Sequence, residues 1–426
     1  MSTVTQSLVR SRAETVQIVR SPGGIEAWLV EDYAVPLVSL EFASKGGSNQ
    51  DPEGKAGAAT LTAGLLDEGA GDLDAEAFQR ALDDKAIELS FAAERDVVTG
   101  RLRTMVRNVD AAFEMLRLAL HAPRFDEAAV ARVKSQMQAG IRRETNDPDA
   151  NAAKAFRQAA FPDHPYGLPQ RGTLASVEAL TRDDIVALHK ILFARKDLKI
   201  AVVGAINARD LSALLDRVFA PLPAEAHHRV LAPITLQGQG TRQLVDLDIP
   251  QATIRFGLPG IARHDPDYIA ATVVNHILGG GVFSARLFKE VREKRGLAYS
   301  VHSSLMTQDY TAALMGGTST KNERALESLS VIEEEIAKLA ADGPEADELE
   351  KAQKFLIGSY PLRFDTSTKI AGALVHIMRD GFTPDWLDAR NVEIGRVTLA
   401  DAKRVAERLF GNQKLLVAIA GRPSGV

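Results

Sequence analysis

Much of this chain is written twice, and that limits its fold more than any single motif. The stretch LTRDDIVALHKILFARKDLKIAVVG, residues 180 to 204, aligns without a gap at an offset of 217 with LADAKRVAERLFGNQKLLVAIAG near the C-terminus. Thr181 falls on Thr398, Asp184 on Asp401, Phe193 on Phe410, Leu198 on Leu415 and Gly204 on Gly421. Each copy reads as a helix capped by a threonine hydroxyl, followed by an apolar strand that stops at glycine. An offset close to half of 426 residues points to duplication of the whole chain rather than of a short motif.

The two halves also begin alike. IEAWLVEDYAVPLVSLEFA, from Ile25, reads as two strands, the second with Val38, Leu40 and Phe42 alternating against Ser39 and Glu41. RQLVDLDIPQATIRFGLPG, from Arg242, repeats the pattern with Phe256 in the place of Phe42. Within each half the order is strands, helices, a strand, more helices and a final strand. Leu326, Leu329, Ile332, Ile336 and Leu339 mark an amphipathic helix that follows a turn at Thr318-Ser319-Thr320. The prediction is an α+β protein of two duplicated lobes, each a mostly antiparallel sheet with helices packed on it, with a cleft between them. The boundaries are 1–219 for the first lobe, 220–240 for a linker holding Pro221, Pro223, Pro233, Gly238 and Gly240, and 241–426 for the second lobe.

Composition removes several functions. Fifty-one basic residues against 56 acidic ones leave a net charge of -5, so there is no basic field for nucleic acid. With no cysteine, disulfides, thiolate metal sites and Cys nucleophiles are excluded together. No apolar run approaches the roughly 18 residues of a membrane span. The N-terminal stretch MSTVTQSLVRSRAETVQIVRSPGG lacks a continuous apolar segment, which predicts a cytoplasmic chain as written, or a periplasmic one if a signal peptide has been removed.

The chemistry of common hydrolases is absent as well. The histidines include no pair four residues apart, so no zinc-binding helix of the H-E-x-x-H or H-x-x-E-H type exists. Ala56 after Lys55 breaks the phosphate-loop pattern, and no G-x-S-x-G elbow occurs.

Three segments carry a family resemblance: DPEGKAGAATLTAGLLDEGAGDLDAEAF from Asp51, FPDHPYGLP from Phe161, and NHILGGGVFSARLFKEVREKRGLAYSV from Asn275. They resemble the pitrilysin or insulinase-type zinc peptidases, the family of the mitochondrial processing peptidase and the respiratory-complex core proteins, over nearly the whole chain. The resemblance implies the processing-peptidase-like metallohydrolase fold. In active members one helix of the first half carries H-x-x-E-H and a later helix adds a glutamate. Alignment puts Thr60, Ala63 and Gly64 at those His, Glu and His positions, and residues 128 to 143 contain no acid for the third ligand. The chain is therefore expected to bind no zinc. Active members also use an Arg and a Tyr seven residues apart in the second half, and Arg292 and Tyr299 keep that spacing. Without that context, Arg292 reads as a solvated helix residue and Tyr299 as a half-buried strand aromatic. Gly279 to Gly281 reads as a close-packing turn, His164 as a hydrogen-bonded structural histidine, and His276 and His302 as satisfied core or rim histidines.

The resemblance implies a silent subunit. A homologous zinc-binding peptidase chain would be its partner in a heterodimer, with the zinc in that partner, unfolded peptides as substrates, and Arg292 and Tyr299 completing the partner's active site. The alternative is a non-enzymatic scaffold or peptide-binding subunit like the respiratory-complex core proteins.

Overall fold

The computed structural model describes residues 12–281, 283–411 and 413–424. Residues 1–11, where the reading of an absent signal begins, lie outside it. Two sheets form among the described residues, one in each half. The first contains β1 (Gln17–Arg20), β2 (Glu26–Glu31), β3 (Leu37–Lys45), β4 (Glu88–Ala93), β5 (Val97–Met105) and β6 (Lys199–Gly204), in the order β1-β2-β6-β3-β5-β4. The second contains β7 (Arg242–Val245), β8 (Gln251–Pro259), β9 (Ala298–Gln308), β10 (Thr311–Lys321) and β11 (Leu416–Ala420), in the order β7-β11-β8-β10-β9. Leaving β1 aside, the two orders are the same, including one parallel pair in each, β2 with β6 and β7 with β11. Every other pairing is antiparallel.

The duplicated residues play duplicated roles. Thr181 and Asp184 form a capping box at the start of helix Arg182–Leu192, and Thr398 and Asp401 form the same box on helix Leu399–Phe410. Each threonine oxygen accepts a backbone N–H that the helix itself leaves unpaired. Gly204 and Gly421 end their strands at the same φ of +142°, which a side chain would strain. Phe42 lies opposite Gly100 and Phe256 opposite Gly316 in their ladders, and a Cβ on either glycine would overlap the facing ring. In both lobes an aromatic ring thus covers a glycine on the neighbouring strand, which the sequence betrays only through the phenylalanines.

Three expectations need correction. The middle strand of each half is a hairpin, β4–β5 and β9–β10, because only Glu94-Arg95-Asp96 and Asp309-Tyr310 separate the paired runs, a spacing that returns the chain antiparallel. Thr318-Ser319-Thr320 is no turn. These residues continue β10, where Thr318 Oγ1 donates to Ser300 O at 2.8 Å and Thr320 Oγ1 to Leu297 O at 2.5 Å, and β-branched threonines suit an extended chain. The helix after them, Ala325–Asp342, stands as expected.

The third correction concerns the cleft. Helix Pro148–Ala160 of the first half packs on β8 and β11 of the second, while helix Ser367–Arg379 of the second packs on β3 and β6 of the first. The two helices occupy equivalent places in the duplication, so the halves exchange them. Phe156 and Ala160 enter one interface with Leu416 and Ala418, over Gly257, whose missing Cβ makes room for the Phe156 ring. Leu374, Val375 and Met378 meet Trp28, Ala43, Ala201 and Val203 in the other. The junction is packed because each sheet has a second apolar face that its own half leaves uncovered.

The connecting segment carries no helix or strand between Phe219 and Arg242, yet it is docked. Ile234 N donates to Tyr310 O and Gln237 N to Ala160 O, and Leu236 is fully buried. Nearby, the buried Tyr166 donates to Asp96 Oδ1 at 2.5 Å and accepts from Tyr310 N at 3.3 Å, tying the FPDHPYGLP segment to the other half.

Candidate functional site

Thr60 and Ala63 lie on helix Ala58–Ala63, and Gly64 caps its end. Asp51 starts this helix: its two carboxylate oxygens accept Gly57 N and Ala59 N at 2.7 Å each. Burial pushes the Asp51 carboxyl up to about 7 against those hydrogen bonds. Thr60 Oγ1 is turned to Gln170 O at 2.9 Å, and Ala63 is 2% exposed within the first core. The helix that would display three metal-site residues is one and a half turns long and offers a hydroxyl already engaged, a buried methyl and a glycine.

Thr60 and Gly64 nonetheless line a cavity of about 510 Å³, shared with Glu144, Arg95, Arg157 and Arg171. The later helix runs Glu127–Glu144, one residue further at each end than the acid-free window, and so it does bring a carboxylate to this cavity. Glu144 is not available to a metal, since its Oε1 accepts from Arg171 Nη1 at 2.7 Å. Arg95 Nη1 donates to Leu168 O at 2.8 Å and Pro165 O at 3.3 Å, and burial, with Arg157 nearby, pulls its pKa down to about 10. Burial lowers the Arg157 pKa too. No group of three His, Cys, Asp or Glu side chains able to hold a metal ion occurs among the described residues. Three guanidinium groups around one paired carboxylate repel a divalent cation, so the residues here do not fit zinc.

Sequence reasoning missed these arginines. Arg95 follows β4, Arg157 sits beside Phe156 on the exchanged helix, and Arg171 follows the FPDHPYGLP segment. They are distant in the chain, and only the fold brings them together.

Arg292 and Tyr299 lie in the other lobe. Arg292 is in a π-helical turn, Phe288–Glu293, and Tyr299 is near the start of β9, an edge strand equivalent to β4. The π-turn packs directly on β9, and Gly296 at φ +57° turns the chain between them. The structure brings the two residues together: the Arg292 guanidinium carbon stands 4.6 Å from the Tyr299 ring centroid and 4.8 Å from that of Phe288. Tyr299 is 81% exposed, not the half-buried aromatic of an ordinary strand, and Phe283, edge-on to Phe288, is exposed as well.

The remaining candidates are structural. Gly279 packs against Ser303 of β9 and Gly281 against the His276 ring, as a close-packing turn requires. His164 Nδ1 accepts Tyr166 N at 3.2 Å. His276 is buried and stacked on Phe355, but its Nε2 has no hydrogen-bond partner among the described residues, so it is not the satisfied histidine expected.

Comparison with known proteins gives a consistent picture. Residues 179–356 match the family described as peptidase M16 inactive domain. The non-peptidase homolog YmxG of Helicobacter pylori is 27% identical over 338 residues, 79% of this chain and 78% of that one. An uncharacterized zinc protease of Streptomyces coelicolor is 26% identical over 436 residues, covering 97% and 92%. The crystal structure of a peptidase M16 inactive domain from Pseudomonas fluorescens superposes with a TM-score of 0.89 at 26% identity, over 96% of this chain and 98% of that one.

Proposed function

Because this chain belongs to the peptidase M16 family as one of its inactive members, with Thr60, Ala63 and Gly64 where zinc chemistry would stand, we propose that it serves as the silent subunit of a two-chain zinc endopeptidase. A homologous H-x-x-E-H chain supplies the metal and the general base, and this chain supplies Arg292 and Tyr299. One observation carries the reading. Tyr299 is a large aromatic held out in solvent on an edge strand, beneath a guanidinium, where the fold gains little from it. A guanidinium and a phenol together offer donors to a carbonyl oxygen as it gains charge, which is what a peptide-hydrolysing partner lacks on the far side of its substrate. The substrates are unfolded peptides, which present such carbonyls in extended form.

The test is reconstitution. Mixed with a homologue bearing H-x-x-E-H from the same source, the chain should form a 1:1 complex by size exclusion and light scattering, and that complex should cut an unfolded peptide that neither chain cuts alone. Separate elution of the two chains, or full activity of the partner by itself, would overturn the proposal.

A further inference from the structure

The cavity at the degenerate metal position has a chemistry of its own. Arg171 is neutralised by Glu144, and Arg95 is held by two backbone carbonyls with Asp96 and Asp51 close by. Arg157 is different. Its Nε is buried without a hydrogen-bond partner, and no ion pair or side-chain hydrogen bond is made by this residue among the described residues. Glu144 and Asp149 act on it only through space, and a buried guanidinium N–H without an acceptor at the wall of a cavity is costly to the fold unless one completes it. The guanidinium edge matches the two oxygens of a carboxylate. Beside the arginines, Phe91 and Ala92 give the cavity an apolar wall at the end of edge strand β4, and the Gln170 side chain is fixed by Ala93 O. An apolar side chain next to an anionic terminus fits that combination.

We propose that this cavity binds the free C-terminal carboxylate of a peptide whose last residue is apolar, with Arg157 as the principal donor and Arg171 at the rim. The cation-binding position of the family's active members has in this chain become an anion-binding one. The inference rests on the reading of the chain as a peptide-handling subunit and adds what part of the peptide it holds.

Calorimetric titration of the full chain with three probes tests it: an N-acetylated tripeptide ending in leucine as the free acid, the same peptide as its C-terminal amide, and inorganic phosphate. The free acid should bind about tenfold or more tighter than the amide, the scale of a charge-assisted pair, and tighter than phosphate. Arg157→Met, which keeps the length of the buried stem, should bring acid and amide to equal affinity, and Arg157→Lys should restore part of the difference. Equal binding of acid and amide to the wild-type chain, an unchanged preference in a folded Arg157→Met chain, or tighter binding of phosphate would each overturn the proposal. Should Arg157→Met fail to fold, Arg171→Gln at the exposed rim decides: a several-fold loss of acid binding supports the site and no loss overturns it. Assembly with a zinc-bearing homologue is measured separately, so failure here leaves that reading intact.

Discussion

The Arg292 guanidinium rests over the face of the Tyr299 ring, 4.6 Å from its centroid, while the ring remains 81% exposed. At an exposed site such a contact contributes only about 0.5–1 kcal/mol, so its effect is to restrict where the two polar ends point rather than to hold the lobe together. The Phe288 ring on the same guanidinium restricts it further. Donors set in position before a substrate arrives lose little freedom when charge develops on it.

If the pair acts in a reconstituted complex, Tyr299→Phe should change stability by less than about 0.5 kcal/mol, since it keeps the ring and removes an exposed hydroxyl. Turnover should fall by about 10²-fold, the scale of one lost oxyanion donor, with peptide binding almost unchanged. Arg292→Ala should lower turnover and raise KM together. Melting temperature and turnover measured on the same complex check both, and wild-type turnover in the Tyr299→Phe complex removes the tyrosine from catalysis.

Grafting the zinc motif as Thr60→His, Ala63→Glu and Gly64→His should not create a zinc site. Ala63 is 2% exposed, so a glutamate there adds a buried charge and should cost about 3–5 kcal/mol, and the nearby arginines oppose the metal. Metal analysis is expected to find far less than one zinc per chain, together with a lowered melting temperature. A stoichiometric, tightly held zinc would contradict this account of the cavity.

The exchanged helices make the halves dependent on each other. Residues 12–219 alone would expose Trp28, Ala201 and Val203, which helix Ser367–Arg379 covers in the whole chain. That fragment should show no cooperative thermal transition by itself, and adding the complementary fragment should restore one. In the full chain, Phe156→Ala should destabilise by about 3–5 kcal/mol because the cavity opens over Gly257 at the junction. Denaturant titration reads both, and a fully stable isolated half would show that the exchange is dispensable.

Acid should loosen the second lobe through Asp267. Its carboxylate accepts from Arg404 Nη2 at 2.7 Å and Arg408 Nη1 at 2.5 Å, and the Arg404 hydrogen bond is the main cause that holds its pKa down to about 2. A pKa below the unfolded value near 4 means that the stabilisation is complete above about pH 4 and is lost as pH falls through about 2. Asp267→Asn should therefore cost about 1–2 kcal/mol at pH 7, a figure reduced for the half-exposed arginines, and almost nothing at pH 2. Unfolding free energies of both proteins at the two pH values check the convergence.

The duplication was legible because it rests on local rules. Thr181 and Thr398 cap their helices through residues three positions away, Gly204 and Gly421 end strands at a φ that glycine alone tolerates well, and the alternation in Val38, Leu40 and Phe42 survives in the second half. The loss of the metal position was legible through the family resemblance, which sets the two histidine ligands and the glutamate between them on one helix at Thr60, Ala63 and Gly64. What the sequence could not reveal depends on contacts between residues far apart in the chain. The exchange of helices Pro148–Ala160 and Ser367–Arg379 is decided by which apolar faces the sheets leave uncovered, and an amphipathic pattern does not name the partner of its apolar side. The gathering of Arg95, Arg157 and Arg171 around Glu144 is of the same kind. A charged residue in a sequence reads as solvated surface, and only the packing of three separate elements decides that these charges face one another across a partly buried cavity.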